Sequence, residues 1–565
     1  VKRATHTALA LALVFALPGC NGLTLTESTS DAGRDAARDA RSVAPPGTPP
    51  KVDVLTQHND VARTGQNLGE TILTPFNVTP DHFGKLFTLP IQGLVYAQPL
   101  VVSQYTLAGA TRDVLIVATA HNLVYAFDAS TEGAPLWTAN LGPTVPNTAI
   151  AVPCLGPAGT QNIQVEIGIL STPVVDRSRG LVYVTNKTWV NQVQQLWLHA
   201  IDLASGADAP GSPIEITATV PGNAYDAAPT QSLDAPKHAQ RPGLLLQGGV
   251  VYLAFASHQD CQPYHGWILG YRYDANGRAF TQTAVFNTTA DGTEGGIWQS
   301  GQGLLSDGAS IYAVTANGAL TAQNGGTSYG ESFLKLSASL AVEDWFAPVG
   351  FEALNHEDFD LGSGGPVLLP GSSPSLMVGG GKAGVLYVVD TSHMGHLGVG
   401  ADTNLQEWRA TSAIFGAPAV WTGGGETRLY LWGVGDVVRE FALSNGLFVT
   451  TPVAITPTVR SPFVPGGASG ILSVSSNGSN AATGILWAVI PTALPDEATV
   501  PGTLYAFDAI TLRGLWDSNL VAARDALGNY AKFVAPTVAN GKVYMATGSQ
   551  QIAVYGLLGG DAGTN

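Results

Sequence analysis

One unit recurs along this chain, and a recurring β unit restricts the possible folds more than any other feature of the sequence. Its clearest copies are Leu123-Val124-Tyr125-Ala126-Phe127-Asp128, followed by Leu136-Trp137, and Leu504-Tyr505-Ala506-Phe507-Asp508, followed by Leu515-Trp516. The Asp precedes the Trp by nine positions in the first copy and by eight in the second. Each copy opens as a strand of alternating faces, turns through Ser, Thr or Gly, and resumes as a strand that carries the Trp. Weaker copies are His199-Ala200-Ile201-Asp202, Leu386-Tyr387-Val388-Val389-Asp390 and Glu440-Phe441-Ala442-Leu443-Ser444. A second apolar strand ending in small residues precedes each (114–118, 181–185, 251–256, 311–315, 376–380, 429–433, 485–489 and 543–547). A third precedes most of those (99–102, 171–175, 243–246, 366–369, 417–421 and 536–539).

The unit therefore has about four strands, and eight copies are spaced over 95–142, 166–220, 241–289, 294–349, 358–410, 413–457, 465–520 and 531–558. A lone four-stranded sheet of this kind leaves one face bare, whereas sheets set radially cover one another. The expected fold is all-β: an eight-bladed β-propeller of four-stranded blades. The eighth unit has only three strands after Lys532, and residues 85–90 are expected to supply its outer strand. The ring is then closed by an N-terminal strand and presents no bare sheet edge. Seven blades follow instead if one irregular unit is an insertion. Composition agrees with this class. Charged residues are 12% of the chain and hydrophobic ones 45%, with 67 Gly and 35 Pro, which excludes disorder and long-helix architectures.

The start of the chain has a different character. Lys2 and Arg3 precede an apolar run over 8–17 that is signal-peptide length and too short to span a bilayer. The run ends in Leu17-Pro18-Gly19-Cys20, which resembles the lipobox of bacterial lipoproteins. The expectation is a lipoprotein signal over 1–19, lipidation of Cys20, a flexible linker over 20–52, the propeller over 53–558 and a disordered tail over 559–565. An ordinary secretory signal is the alternative. Either way the protein is expected to be exported; with the anchor it belongs to the cell envelope, on the outer membrane or its periplasmic face, and Asn21 after the Cys favours the outer membrane. The net charge is −16. Such a chain repels nucleic acid and anionic lipid, so contact with a membrane is expected only through the N-terminal anchor. Two further cysteines remain, Cys154 and Cys261. In an exported protein they read first as one disulfide. A shared metal is the weaker alternative, because neither sits in a C-x-x-C and the lone spacing of His258 three before Cys261 is a weak signal.

The A-F-D…G…L-W pattern resembles the repeat of propellers related to the pyrroloquinoline-quinone (PQQ) alcohol dehydrogenases, a superfamily that also holds cofactor-free members. Further segments carry the resemblance to PQQ-repeat-like bacterial proteins. They are Gln57-His58-Asn59-Asp60-Val61-Ala62-Arg63-Thr64-Gly65, Glu166-Ile167-Gly168-Ile169-Leu170-Ser171-Thr172-Pro173, Tyr264-His265-Gly266-Trp267, Glu294-Gly295-Gly296-Ile297-Trp298, Asp360-Leu361-Gly362-Ser363-Gly364-Gly365 and Gly380-Gly381-Lys382. The resemblance covers roughly 53–558. It implies the propeller fold and, for the catalytic members, PQQ with a carboxylate-bound Ca²⁺ and an Asp base. This chain lacks the adjacent Cys-Cys pair and the CxxCH haem motif of those enzymes, and no residue matches their catalytic roles by motif.

Function is expected on long loops at one face of a propeller, around the central channel. The long, least β-like segments 142–168, 221–240, 259–266, 290–301, 318–331, 350–363 and 521–533 all map to the face where innermost strands begin. Candidate ligand-binding residues there are His258, Tyr264, His265, Glu294, Trp298, Asp360, Lys382 and Lys532. The two lysines suit an anionic group; the bland alternative is that they neutralise Glu294 and Asp360. Trp298 and Trp267 are placed to wall a cofactor, but a Trp at a blade junction is more often core, and core is the favoured reading. Glu357, Asp358 and Asp360 are close enough in sequence for Ca²⁺, but the loop lacks the spacing of a calcium loop, so no metal site is assigned. Asp128 and Asp508 are expected to hold turns. Two functional classes stay open. One is a scaffold that binds a small molecule or an extracytoplasmic protein. The other is a PQQ/Ca-dependent oxidoreductase with its site at the channel mouth.

Overall fold

Period-two alternation buries one set of side chains on each face of a strand, and in this protein both faces of most strands are apolar, so each sheet must be covered on both sides. The computed structural model describes residues 51–107, 109–150, 163–224, 229–260, 262–373, 375–463, 469–493 and 500–559. The signal expected over 1–19 and all but the last two residues of the linker expected over 20–52 lie outside these residues, as do Cys20, Cys154 and Cys261, so the expected anchor and disulfide do too.

Eight antiparallel sheets follow one another along the chain and form the eight-bladed propeller. Blade 1 consists of Leu100–Leu107, Ala110–Ala118, Leu123–Asp128 and Trp137–Asn140. The innermost strands of blades 2 to 7 are Val174–Asp176, Leu245–Gln247, Leu305–Ser306, Val367–Leu368, Ala419–Gly423 and Ile471–Ser475. Blade 8 has Thr537–Ala539, Lys542–Ala546 and Gln551–Leu557, and Phe83–Pro90 pairs antiparallel with the last of these. The N-terminal strand thus closes the ring, as the missing outer strand of the eighth unit requires.

The core lies between blades. Apolar clusters join blade 2 to 3, 3 to 4, 4 to 5, 5 to 6, 6 to 7 and 7 to 8. A further cluster joins blades 8, 1 and 2. The repeat residues explain how each blade turns and how it holds its neighbour. In the turn after the third strand, Asp128, Asp202, Asp390 and Asp508 accept backbone N–H bonds from Ser130, Ser205, Ser392 and Thr511 at 2.8–2.9 Å. These carboxylates hold turns. A second-strand Tyr then reaches the corresponding turn of the next blade. Tyr544 donates to Ala129 O (2.9 Å), Tyr430 to Ala509 O (2.6 Å) and Tyr252 to Ala338 O (2.8 Å).

One feature has no precedent in the repeat. Before the closing strand, residues 54–67 make hydrogen bonds with all eight blades along their innermost strands. Val54 exchanges two backbone bonds with Val101 of blade 1, and Leu55 O accepts from Val175 of blade 2. Arg63 donates to Leu244 O, next to the innermost strand of blade 3. The carbonyls of Val61, Ala62, Thr64 and Gly65 accept from Ser306, Leu368, Val420 and Val474 of blades 4 to 7. Asn67 donates to Val538 O of blade 8 at 2.8 Å. The edge of an innermost strand facing the axis has no neighbour in its own sheet, and this segment satisfies those edges. The tight path needs left-handed backbone at Asn59 (φ 74°) and Gly65 (φ 71°), residue types that adopt it readily.

Candidate functional site

Every innermost strand runs the same way, so the residues just before these strands converge at one end of the channel. Those just after the second strands converge there too. Residues from both groups line a cavity of about 600 Å³, within the range of small-ligand sites. Ahead of innermost strands come Leu170, Arg241, Trp298, Ser300, Asp360, Ser363, Phe415, Lys532 and Phe533; after second strands come His258, Gln259, Asp260, Lys382 and Val434.

Of the eight candidates read from the sequence, His258, Trp298, Asp360, Lys382 and Lys532 line this cavity. Tyr264, His265 and Glu294 are not among the lining residues. Tyr264 lies behind the wall and donates its hydroxyl to Asp260 at 3.1 Å. His265 is buried between Thr289 Oγ1 (3.0 Å) and Gln231 Oε1 (3.2 Å). Glu294 sits in left-handed backbone (φ 67°), bonded through its main chain to Tyr264 and Gly266, and its carboxylate accepts from Gln262. Trp267 is core, wholly buried against His238.

The 356–360 segment follows a short helix, Phe351–His356. Lys382 Nζ lies 2.6 Å from Asp360 Oδ2 and 2.9 Å from Asp358 Oδ1. Lys382 is placed by its own N–H, which donates to Asp360 O at 3.1 Å. This approach requires Gly381, where a Cβ would stand 1.9 Å from Asp360 O. Burial raises the pKa of Asp360 to about 6, a rise that Lys382 limits, and Asp360 in turn raises that of Lys382. Behind them Glu331 is fully buried. Burial, then Asp360, push its carboxyl well above the usual range, and it accepts from Leu361 N–H at 2.6 Å. This part of the wall is compensated from within.

His258 belongs to a second buried group. Lys187, from blade 2, reaches His258 Nε2 (2.7 Å), Ala235 O (2.6 Å) and His238 O (2.9 Å). A charged ammonium supplies three donors to these three acceptors, which places the imidazole proton of a neutral His258 on Nδ1. Burial lowers Lys187 to about 7, and burial followed by Lys187 holds His258 well below its ordinary value.

Arg241, Phe415, Phe463 and Phe533 were not read from the sequence. Phe415 and Phe533 stack with centroids 6.4 Å apart. Phe463 is 83% exposed and Phe359 44%, so the cavity rim is aromatic and open. Their positions, immediately before innermost strands or in inter-blade loops, were the available signal; their residue types were not.

The cavity's donor set bears on metal and quinone chemistry. Asp358 and Asp360 already share the Lys382 ammonium, and among the described residues no three His, Cys, Asp or Glu side chains are grouped to hold a metal ion. A carboxylate-held Ca²⁺ does not fit this wall, because a second cation would face the lysine.

The chain is similar in structure to the quinohemoprotein alcohol dehydrogenase from Comamonas testosteroni, at 14% identity and a TM-score of 0.54, over 91% of this chain and 81% of that one. Quinohemoprotein alcohol dehydrogenase ADHIIG from Pseudomonas putida HK5 matches at 14% identity and a TM-score of 0.49, over 89% and 80%. Sqt1 from Saccharomyces cerevisiae matches at 9% identity and a TM-score of 0.47, over 84% and 99%. No protein-family model and no curated protein matches the chain. At 14% identity the likeness to the first of these is one of fold, and it agrees with the repeat pattern of the sequence.

Proposed function

We propose that the protein is an exported binding propeller whose ligand is a small organic molecule held in the channel-mouth cavity. The observation that carries this reading is convergence. Non-repeating polar and aromatic residues of blades 3 to 8 meet around one open space of about 600 Å³, on a scaffold whose repeating residues are spent on turns and latches. Lipid anchoring through Cys20 and a Cys154–Cys261 disulfide accompany the reading as sequence-based expectations of an envelope protein. The PQQ-dehydrogenase reading is less well supported, because the Asp358 and Asp360 carboxylates are already held by Lys382. Dye-linked alcohol oxidation with added PQQ and Ca²⁺ is expected to stay at background.

A neutral planar probe, naphthalene-2-carboxamide, tests the cavity directly by titration calorimetry. Wild-type protein is expected to bind it, and Ala413→Trp, which fills the space from the blade 6 side, is expected to abolish binding without changing the far-ultraviolet circular dichroism. No binding by the wild type of this probe or of its carboxylate counterpart, or binding untouched by Ala413→Trp, rejects the reading.

A further inference from the structure

The structure assigns the cavity an anion-specific end at Arg241, which selects ligands bearing a carboxylate or similar oxyanion on an aromatic body and holds them without a metal ion. The assignment rests on the cavity being a ligand site, as above, and adds the class of ligand.

Arg241 is 6% exposed and lines the cavity. Its guanidinium carbon lies 5.1 Å from the centre of the Tyr96 ring and 5.5 Å from that of Phe533. Aromatic faces on this scale orient a guanidinium and offset part of its desolvation. They accept no conventional hydrogen bond. Among the described residues Nη1 is buried without a hydrogen-bond partner. Burial lowers the group only to about 10, and the neighbours acting against that are Tyr96 and Tyr530, with no carboxylate among them. Arg241 is therefore cationic at neutral pH, and no described acid compensates it.

The contrast with the rest of the molecule makes this informative. Several other buried or half-buried cations here are paired with acids: Lys382 with Asp358 and Asp360, Arg428 with Glu440, Arg439 with Asp436. Arg63 is wholly buried, but it donates to backbone carbonyls on every side. A buried charge left without a partner is costly, and at Arg241 the cost falls on the wall of an open cavity. Lys532, 6% exposed, lies on the same wall with its Nζ 5.4 Å from the centre of the Phe533 ring. Phe415 stacked on Phe533 supplies an apolar face next to the guanidinium. An arginine fork pairs with a planar oxyanion through two parallel bonds, and the adjoining rings suit a flat body attached to it. Elsewhere on the wall Lys382 already pairs with Asp358 and Asp360, so the cation offered to an anionic ligand is Arg241 and not a metal ion.

The test compares naphthalene-2-carboxylate with its neutral isostere naphthalene-2-carboxamide, by calorimetry on the whole protein, in Ca²⁺ and in EDTA. The wild type is expected to bind the carboxylate about tenfold or more tightly than the carboxamide, equally in both buffers. In Arg241→Gln the ratio of the two affinities is expected to fall to about one; in Arg241→Lys part of the preference is expected to remain. Equal affinity for the two probes, a preference that survives Arg241→Gln, or a carboxylate that binds only with Ca²⁺ overturns the assignment and leaves the cavity reading intact. Failure of both probes removes the two together. Loss of fold in Arg241→Gln shifts the decision to the wild-type ratio and to Arg241→Lys.

Discussion

Arg63 shows how a charge can be buried with no carboxylate hydrogen-bonded to its guanidinium, that of Asp60 acting on it only as a nearby charge. Its Nε donates to Leu304 O (2.9 Å), Nη1 to Gln57 O (2.6 Å) and Thr56 Oγ1 (2.7 Å), and Nη2 to Leu244 O (3.2 Å). Burial lowers it to about 10, which leaves it charged. Truncation to Met strands several buried carbonyls, so Arg63→Met is expected to lower the unfolding free energy by about 3 kcal/mol, read from urea denaturation. Lys187 gives a pH signature. The unfolded chain holds that proton up to the ordinary value of 10.5, but the folded protein only to about 7. Between those values unfolding takes up a proton, so the lysine makes stability rise with pH, at up to about 1.4 kcal/mol per unit. Below pH 7 both states are charged and its contribution is flat. The stability difference between wild type and Lys187→Met, followed by urea denaturation from pH 6 to 9, is expected to be constant at first and then to move in favour of the wild type. A difference that stays level throughout contradicts the lowered pKa.

At the scale of the element, the repeat works as a latch. The Asp at the end of the third strand sets a turn, and that turn offers a carbonyl to the second-strand Tyr of the preceding blade. Tyr430→Phe and Tyr544→Phe each keep the ring and remove one buried donor, so each is expected to cost about 1 kcal/mol. The two sites sit at different blade boundaries, blades 6–7 and 8–1, and the double variant is expected to lose the sum. A double loss well below the sum would mean the boundaries are coupled. Because these residues recur, blade number, strand order and the closing strand were all legible in the sequence: Leu504-Tyr505-Ala506-Phe507-Asp508 announces its own neighbours by spacing. The 54–67 segment was not. Its residues match no period, and their partners lie up to 471 positions away, as for Asn67 and Val538, so local pattern carries no trace of the pairing. The His396–Leu397 strand, which pairs parallel with the outer strand of blade 4, escaped for the same reason.

The whole molecule divides its residues between two tasks. Repeating positions build the ring, and non-repeating positions at strand starts build the cavity. The placement of His258, Trp298, Asp360, Lys382 and Lys532 on one wall follows from topology, which the repeat made readable. Tyr264, His265 and Glu294 belong to the same loops, but a loop position does not say which way a side chain turns, and these three turn into hydrogen-bonded networks behind the wall. Arg241 escaped because an Arg-Pro-Gly sequence is ordinary; its meaning lies in Tyr96 and Phe533, distant in sequence and adjacent in space. The central claim is that this cavity is where the protein meets its ligand. A crystal structure of the wild type grown with naphthalene-2-carboxylate in EDTA tests it most directly. The expected result is the probe in the channel mouth, its carboxylate on Arg241 and its rings beside Phe415 and Phe533; a probe bound elsewhere on the propeller, or an empty cavity at saturation, contradicts the proposed site.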